Sequence, residues 1–228
     1  MTLLDIAKKY PTTKNDHEYI QLYERYLNYF RHREINILEI GVDKGYSLNM
    51  WREYFTKAKI CAIDIVNNNV SVPNTDIMIG DQSDYDFLKK VTDKYTSFDI
   101  IIDDGSHHSK HIIASFKYLF NYLNNDGIYI VEDLQTSYIP RFGGNRFNLN
   151  KRNTSMNFLK RLTDSINYEH FDKPFFSNLI FDGSVKSIYF HQNISFVTKG
   201  ESKKFFFSKI KNNTLIDKIK KIASYVYS

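Results

Sequence analysis

The chain has 228 residues, of which 42% are hydrophobic and 25% are charged. These values are typical of one soluble α/β domain with a sizeable core, and they argue against several domains joined by flexible linkers. The single cysteine, Cys61, cannot form an internal disulfide, so we expect a reducing, cytoplasmic compartment. No run of about 18 apolar residues is present and the first residues do not resemble a signal peptide, so no membrane span is expected.

The net charge of +5 is concentrated at the C-terminal end of the chain. Residues 201–228 carry seven lysines against two acidic residues, so residues 1–200 balance to zero. A basic tail could contact phosphates or anionic lipid. Apolar residues recur there at helical spacing, from Leu215 to Val226, and this favours a basic helix on or trailing the same domain. The neutral body argues against nucleic acid as a partner.

The hydrophobic pattern predicts an alternation of strands and helices along the chain. Two helices are predicted first, at residues 3–10 and 16–32. Strands are then predicted at 35–40, 59–65, 76–79, 98–103 and 127–132, with helices at 47–55, 84–94 and 107–123 between them. A loop at 134–152, a helix at 154–166 and a hairpin of two strands at 185–190 and 194–198 follow.

This alternation predicts the α/β class, with a mostly parallel seven-stranded sheet, a terminal antiparallel hairpin and helices on both faces. We divide the chain into an N-terminal helical cap at 1–34, a cofactor-binding catalytic domain at 35–200 and the basic C-terminal helix at 201–228. Cys61 lies in an apolar strand, and we interpret it as a packing residue rather than a nucleophile.

Glycines and acids follow the first three predicted strands. Gly41 and Gly45 lie in the first strand-to-helix turn with a spacing that differs from the dinucleotide pattern, and the turn is acidic, which suits a sulfonium cofactor better than a pyrophosphate. Asp64 ends the second strand, where it could accept hydrogen bonds from ribose hydroxyls. Asp81 and Gln82 follow the third strand and could reach an adenine edge. Each residue could alternatively serve only a turn or a helix cap.

Carboxylates also follow the fourth and fifth strands. Asp104, Glu132 and Asp133 would converge there, and carboxylates that close repel unless they are protonated or bind a metal. Oxygen ligands favour Mg²⁺, Mn²⁺ or Ca²⁺ over zinc. The alternative is that these acids cap helices. His107, three residues after Asp104, is a plausible general base.

The motifs ILEIGVDKGYSLNMW, AIDI, GDQSD, IIDDGSHH and GIYIVEDLQTSY, with the following RFGG, closely resemble the metal-dependent sugar O-methyltransferases of macrolide (mycinamicin-type) antibiotic biosynthesis. The resemblance covers roughly residues 1–150, and the pairing of DDGSH with VED is its specific part. It implies a Rossmann-like class I methyltransferase fold, with S-adenosylmethionine and Mg²⁺ (or Mn²⁺) as cofactors.

The resemblance also implies roles for individual residues. It assigns the metal to Asp104, Glu132 and Asp133 and the general base to His107. The implied cofactor-binding residues are Glu39, Gly41, Gly45, Ser47, Asp64, Asp81, Gln82 and Asp103. The candidates for contact with the acceptor are Lys14, His17, Tyr138 and Arg141.

The expected reaction is methylation of a sugar hydroxyl on a glycan, a capsule or a glycosylated natural product. A phenolic or phosphorus oxyanion acceptor is the alternative within the same class, and a nucleic-acid-modifying protein is the more distant one. A binding module without catalysis is disfavoured because His107 is present together with all three acids. We expect a small-molecule or glycan substrate and a homo-oligomer.

Overall fold

One seven-stranded sheet forms the centre of the molecule. The computed structural model describes residues 1–168 and 183–200. The strands are β1 (Asn36–Ile40), β2 (Lys59–Asp64), β3 (Thr75–Ile79), β4 (Phe98–Asp103), β5 (Leu123–Val131), β6 (Val185–His191) and β7 (Ile194–Lys199). Their order is β3-β2-β1-β4-β5-β7-β6, parallel from β3 to β5, while β7 is antiparallel to both β5 and β6. The predicted fold class and terminal hairpin are confirmed.

Helices cover both faces of this sheet. They are α1 (Leu3–Ala7), α2 (Tyr19–Leu27), α3 (Tyr46–Tyr54), α4 (Tyr85–Lys94), α5 (Ser109–Leu119), α6 (Ser155–Arg161) and α7 (Thr163–Ile166). Successive residues of a strand point to opposite faces, and in β5 Ile128 and Ile130 join one hydrophobic cluster while Tyr129 and Val131 join another. The first cluster is completed by α1, α2 and α3, and the second by α4, α5 and α6.

The N-terminal segment is less continuous than predicted. The helix expected at residues 16–32 is instead a short 3₁₀ turn at Thr13–Asn15, then α2, then a second 3₁₀ turn at Asn28–Phe30. Glu18 precedes α2 with a left-handed φ of 58°, which interrupts the helical path. The apolar stripe of α2 is nevertheless buried against the sheet, so the predicted inward face is correct.

Two further boundaries differ from the prediction. α5 begins at Ser109 rather than at His107, because the ring of His108 caps it by accepting a hydrogen bond from the Lys110 amide. The loop at 134–152 contains two 3₁₀ turns, Leu134–Tyr138 and Pro140–Phe142. The C-terminal helix predicted at 201–228 lies outside the described residues. Within the described residues, no helix is long and apolar enough to cross a membrane.

Candidate active site

A single open cavity of about 660 Å³ runs along the carboxyl ends of the parallel strands. Its wall combines the turn after β1, the ends of β2 and β3, and the segment that follows β4. Of the residues predicted from the sequence, it is lined by Gly41, Ser47, Asp64, Asp81, Gln82, Asp104, His107, Asp133 and His17. The predicted cofactor side and the predicted acidic side therefore belong to one space, as the parallel topology requires.

The turn after β1 brings the backbone of Gly41 against that of Asp104. Gly41 has a φ of +96°, and a Cβ built on it would overlap the Asp104 carbonyl oxygen. Only glycine combines this φ with such close approach. Gly45 also has a positive φ of +73°, but it does not line the cavity.

Asp64 joins the turns after β1 and β2. Its Oδ2 accepts hydrogen bonds from the Val42 amide at 2.7 Å and the Asp43 amide at 3.3 Å, and its Oδ1 accepts from the Val66 amide at 2.9 Å. The carboxylate thus lies on the cavity wall with its orientation set by backbone donors. The Asp64 carboxylate therefore has a structural role in the two turns, and its contact with a ribose stays a prediction.

Gln82 and Asp103 form a buried network below the cavity. The Gln82 Nε2 donates to Asp103 Oδ1 at 3.0 Å, and its Oε1 accepts from the Ser106 amide at 2.8 Å. Asp103 also accepts from the Ser115 hydroxyl at 2.7 Å and from Tyr129 at 3.3 Å. Burial raises the pKa of Asp103, and these donors oppose that rise. Because its side chain does not line the cavity, Asp103 supports the wall rather than facing a ligand there.

Asp81 and Glu39, two further predicted cofactor residues, have different surroundings. Asp81 lies on the cavity wall, and its Oδ1 accepts from the amide and hydroxyl of Ser83, which lowers its pKa. Glu39 is completely buried behind the wall, where Ser47 donates to its Oε2 at 3.1 Å. Burial raises the pKa of Glu39, and the nearby Lys14 ammonium opposes that rise.

Three residues after β4 and β5 form a compact cluster on the acidic side. Asp104, His107 and Asp133 each offer one ligand atom, and these atoms lie within 4.8 Å of one another. The His107 Nε2 is 3.5 Å from Asp133 Oδ2. Asp104 does not cap α5, because His108 performs that function. The alternative prediction, that Asp104 caps this helix, is therefore wrong.

His107 and Asp133 both have left-handed backbone conformations, with φ values of 55° and 53°. Such values are uncommon for residues with a Cβ and persist where the surroundings hold them in place. The Thr136 hydroxyl is hydrogen-bonded to both carbonyl oxygens, at 3.0 Å to His107 and 2.7 Å to Asp133. One side chain thus joins the two segments that carry the cluster.

Lys14 is buried among the predicted metal ligands and does not reach the cavity surface. Its Nζ lies 2.6 Å from Asp104 Oδ2, 2.6 Å from Glu132 Oε1 and 3.5 Å from Glu39 Oε1. Burial alone would lower the pKa of Lys14, but the three carboxylates raise it well above its ordinary value, so the side chain is cationic. The predicted contact between Lys14 and the acceptor is replaced by this buried ion cluster.

Glu132 is buried beside the compact cluster on the acidic side, where it shares the Lys14 ammonium with Asp104, and it does not line the cavity. Burial raises its pKa to about 8, repulsion from Asp104 adds to the rise, and the Lys14 ammonium opposes it. Tyr23 also donates a short hydrogen bond to its Oε1. Both donors contact Oε1, which leaves Oε2 available to another cation.

Sequence reasoning missed Tyr19 and Tyr23 as polar groups. Their spacing on α2 predicted only an apolar stripe, yet Tyr19 donates to Asp133 Oδ1 at 3.2 Å and Tyr23 to Glu132. Burial raises the pKa of both hydroxyls, and the adjacent carboxylates raise it further, so both remain donors. Their aromatic rings pack in the core, and only their hydroxyls contact the acids. Helical spacing predicts the buried ring but not the contact made by the hydroxyl.

The other candidates for contact with the acceptor lie around the acidic end. His17 lines the cavity, whereas Tyr138 and Arg141 lie outside its wall, on the segment after Asp133. The neighbouring Phe142 packs edge-on to His107, with ring centroids 6.5 Å apart. That segment therefore borders the cluster, although Tyr138 and Arg141 do not enter the cavity.

The donor set suits a hard divalent cation. Carboxylate oxygens such as those of Asp104 and Asp133 are the ligands that Mg²⁺ and Mn²⁺ prefer, whereas Glu132, the third predicted ligand, lies outside this compact group. The imidazole of His107 lies beside them as either a further ligand or a base. The residues present therefore fit the metal that the sequence predicted.

Comparison with known proteins identifies homologues of the chain. No protein-family model matches the chain. The chain is 38% identical over 195 residues to the 8-demethyl-8-alpha-L-rhamnosyl tetracenomycin-C 2'-O-methyltransferase of Streptomyces olivaceus, covering 80% of this chain and 50% of that protein. It is 33% identical over 211 residues to the mycinamicin VI 2''-O-methyltransferase of Micromonospora griseorubida, covering 88% and 53%.

A solved structure agrees with these relatives. The MycE methyltransferase from the mycinamycin biosynthetic pathway, in complex with Mg and SAH, superposes with a TM-score of 0.84 at 32% identity, covering 90% of this chain and 56% of that one. The fold is that of class I S-adenosylmethionine-dependent methyltransferases. The chain is a homologue of sugar O-methyltransferases of macrolide and tetracenomycin pathways, and it spans about half the length of the curated relatives it matches.

Proposed function

We propose that this chain transfers the methyl group of S-adenosylmethionine to a sugar hydroxyl of a glycosylated small molecule, with help from Mg²⁺ or Mn²⁺. One observation carries the proposal: a single cavity of about 660 Å³ is lined both by the turns after β1 and β2 and by Asp104, His107 and Asp133. A cavity of this size can hold a drug-sized ligand. The names of the relatives, a rhamnosyl tetracenomycin-C 2'-O-methyltransferase and a mycinamicin VI 2''-O-methyltransferase, support the choice of acceptor.

The cofactor belongs at the turn side of the cavity. Gly41 permits close approach of the backbone, Ser47 and Asp81 line the wall, and Asp64 presents a carboxylate already oriented by backbone amides. Methyl transfer is a displacement at carbon, so the protein contributes chiefly by aligning the sulfonium methyl group with the attacking oxygen.

The acceptor hydroxyl belongs at the acidic side. Asp104, Asp133 and Glu132 would hold the divalent ion, which when bound orients the hydroxyl and lowers its pKa. His107 would then accept the hydroxyl proton at Nε2, the nitrogen that lies 3.5 Å from Asp133. His17, Tyr138 and Arg141 are proposed to contact the acceptor around this point.

The reaction is tested by methyl transfer from labelled S-adenosylmethionine to a panel of acceptors. The panel contains rhamnosylated and other glycosylated aromatic or macrolide compounds, a free polysaccharide, a catechol and an RNA. Label on a sugar hydroxyl is expected. Label on the catechol alone, or on the RNA alone, would contradict a sugar acceptor while leaving the methyltransferase class intact.

Removal of the metal tests whether Mg²⁺ or Mn²⁺ assists the reaction. EDTA should abolish turnover, and excess Mg²⁺ or Mn²⁺ should restore it. Cofactor affinity measured by calorimetry should survive EDTA, because Asp64 and Asp81 are separate from the acidic cluster. Full turnover in the chelator would remove the metal from the reaction.

Cytoplasmic location and assembly as a homo-oligomer stay predictions from the sequence. Light scattering of the purified chain checks the second, and a monomer across the micromolar range would contradict it.

A further inference from the structure

The N-terminal segment contributes three hydrogen-bond donors to the acidic cluster. Lys14 contacts Asp104 Oδ2 and Glu132 Oε1, each at 2.6 Å, and Tyr23 donates to the same Glu132 oxygen. Tyr19 donates to Asp133 Oδ1 at 3.2 Å. We call Lys14, Tyr19 and Tyr23 the N-terminal clamp. Together its members contact all three carboxylates that we assign to the metal.

The donors of the clamp contact one oxygen of each carboxylate and would leave the other oxygen for a cation. At Asp133 the tyrosine occupies Oδ1, whereas Oδ2 is the oxygen that lies near His107. At Glu132 both donors contact Oε1, so that Oε2 is left for a cation. A donor that engages one oxygen of a carboxylate restricts rotation of the group and so fixes the direction of the other oxygen.

The clamp is rigid because its members are buried. The side chain of Lys14 is 1% exposed, and Tyr19 and Tyr23 are 1% and 0% exposed. The Tyr23 ring packs against Trp51 and Phe196, with centroids 5.0 and 5.9 Å away. The hydroxyl positions are thus set by the core rather than by the acids that they contact.

We propose that Lys14, Tyr19 and Tyr23 are positioning residues, which orient Asp104, Glu132 and Asp133 so that their remaining oxygens converge on the metal. This inference rests on the proposed function, since it assumes that the cluster binds a divalent cation. It assigns to the N-terminal segment a direct part in metal affinity, beyond that of covering the sheet.

Tyr26 provides a matched control on the same helix. Its hydroxyl is hydrogen-bonded to His191 Nε2 at 2.9 Å, and no hydrogen bond joins it to the described acids of the cluster. Tyr26→Phe therefore removes a hydroxyl of the same kind, from the same helix, without altering the carboxylates.

The test compares Tyr19→Phe, Tyr23→Phe and Tyr26→Phe in the full chain. Mn²⁺ binding is measured from the electron paramagnetic resonance signal of free Mn²⁺ in the presence of S-adenosylhomocysteine. Tyr19→Phe and Tyr23→Phe are each expected to weaken Mn²⁺ binding by about 10-fold, the lower end of the effect of removing a group that supports a ligand. Tyr26→Phe should bind Mn²⁺ as the wild type does.

A second readout separates positioning from general destabilisation. In the two clamp variants the Mg²⁺ concentration for half-maximal turnover should rise about 10-fold, while turnover at saturating Mg²⁺ and the affinity for S-adenosylhomocysteine stay near wild type. Their melting temperatures without metal should match that of Tyr26→Phe to within a few degrees.

Two outcomes would overturn the inference. If the wild type binds Mn²⁺ and both clamp variants bind it equally well, the hydroxyls do not position the ligands, and the proposed function is unaffected. If the wild type binds no Mn²⁺ and methylates its acceptor in EDTA, the inference and the metal-assisted reaction fall together.

Discussion

His107 combines a reactive side chain with an unusual backbone. Its φ of 55° turns the chain sharply between β4 and α5, and the same turn directs the imidazole toward Asp133. Left-handed residues other than glycine cost about 1–3 kcal/mol each and occur often at functional sites. The hydrogen bond from Thr136 to the His107 carbonyl offsets part of that cost.

Replacing His107 tests its role as a base. His107→Ala should lower turnover by about 10²–10⁴-fold, the usual contribution of a positioned general base. Affinity for the cofactor should change little, because the imidazole acts only as the proton leaves. Steady-state rates and calorimetry measure the two quantities, and exposed His32→Ala serves as the control. Near-normal turnover in His107→Ala would leave proton removal to another group.

Replacing Lys14 tests how much the buried ion pairs with Asp104 and Glu132 contribute to stability. Lys14→Met leaves Asp104 and Glu132 without their ammonium partner, and the loss of one member of a buried ion cluster costs about 3–5 kcal/mol. Urea unfolding in EDTA measures this change. Lys9→Met is the control, because Lys9 and Glu53 form a half-exposed pair worth less than about 1 kcal/mol. Equal stability of the two variants would mean that the acids do not depend on Lys14.

The β1–α3 turn is the element that joins the two sides of the cavity. Gly41, the first residue of this turn, lies against the Asp104 backbone. The amides of the next two residues of the turn donate hydrogen bonds to Asp64. A displacement of this turn would therefore be transmitted both to the cofactor side and to the first residue of the acidic cluster.

Gly41→Ala should disturb both sides at once. The added methyl group would overlap the Asp104 carbonyl and would also have to adopt a φ of +96°, a strain of about 1–3 kcal/mol before any displacement. We expect lower stability in urea together with weaker binding of S-adenosylhomocysteine. Gly200→Ala is the control, because its methyl group would meet only the flexible Lys186 side chain. Unchanged cofactor affinity in Gly41→Ala would contradict the close approach.

The order and type of the elements were predictable, whereas their ends were less so. The buried strands β1 and β4 are short apolar runs, and Gly41 after β1 and the acids Asp103 and Asp104 at β4 mark their ends. The start of α5 was misplaced by two residues because a histidine ring, rather than one of the usual Ser, Thr, Asp or Asn side chains, caps it.

At the scale of the whole molecule, the two hydrophobic clusters enclose the sheet completely at its centre. Cys61, on β2, is buried in the second of them, and burial raises the pKa of its thiol to about 12. The thiol therefore stays neutral in the folded chain at any physiological pH. Keeping the thiol protonated contributes to the free energy of unfolding. This contribution is fully present below about pH 8.5, the pKa of a cysteine in the unfolded chain, and is lost as the pH rises toward 12.

This burial predicts slow thiol chemistry in the folded protein. At pH 8 the buried Cys61 thiol is almost entirely protonated, so reaction with a thiol reagent should proceed chiefly through unfolding. Because Cys61 is the chain's one cysteine, total labelling reports it alone. Labelling should be slow in buffer and complete within minutes in urea. Rapid labelling without denaturant would contradict its place in the core.

Contacts between distant residues were what the sequence could not reveal. The motifs located the acids correctly at adjacent strand ends, because parallel topology brings such ends together. The hydrogen-bond partners of those acids lie far from them in the sequence: Lys14 is 118 residues from Glu132 and Tyr19 is 114 residues from Asp133. No local pattern links residues so far apart, so Lys14 was predicted to face the acceptor and the tyrosines were predicted only to pack.

The same separations bear on how the chain becomes active during synthesis. The Tyr19 hydroxyl also donates to the carbonyl oxygen of Asn193, in the turn between β6 and β7, 174 residues away. A ribosome adding about 5–20 residues per second makes Lys14 and Tyr19 many seconds before their last partners. Glu39 and Asp104 are made before Glu132, so Lys14 meets its carboxylate partners in stages. The acidic side of the cavity therefore gains its last contact, between Tyr19 and Asn193, only near the end of the described chain, long after the glycine turn has been made.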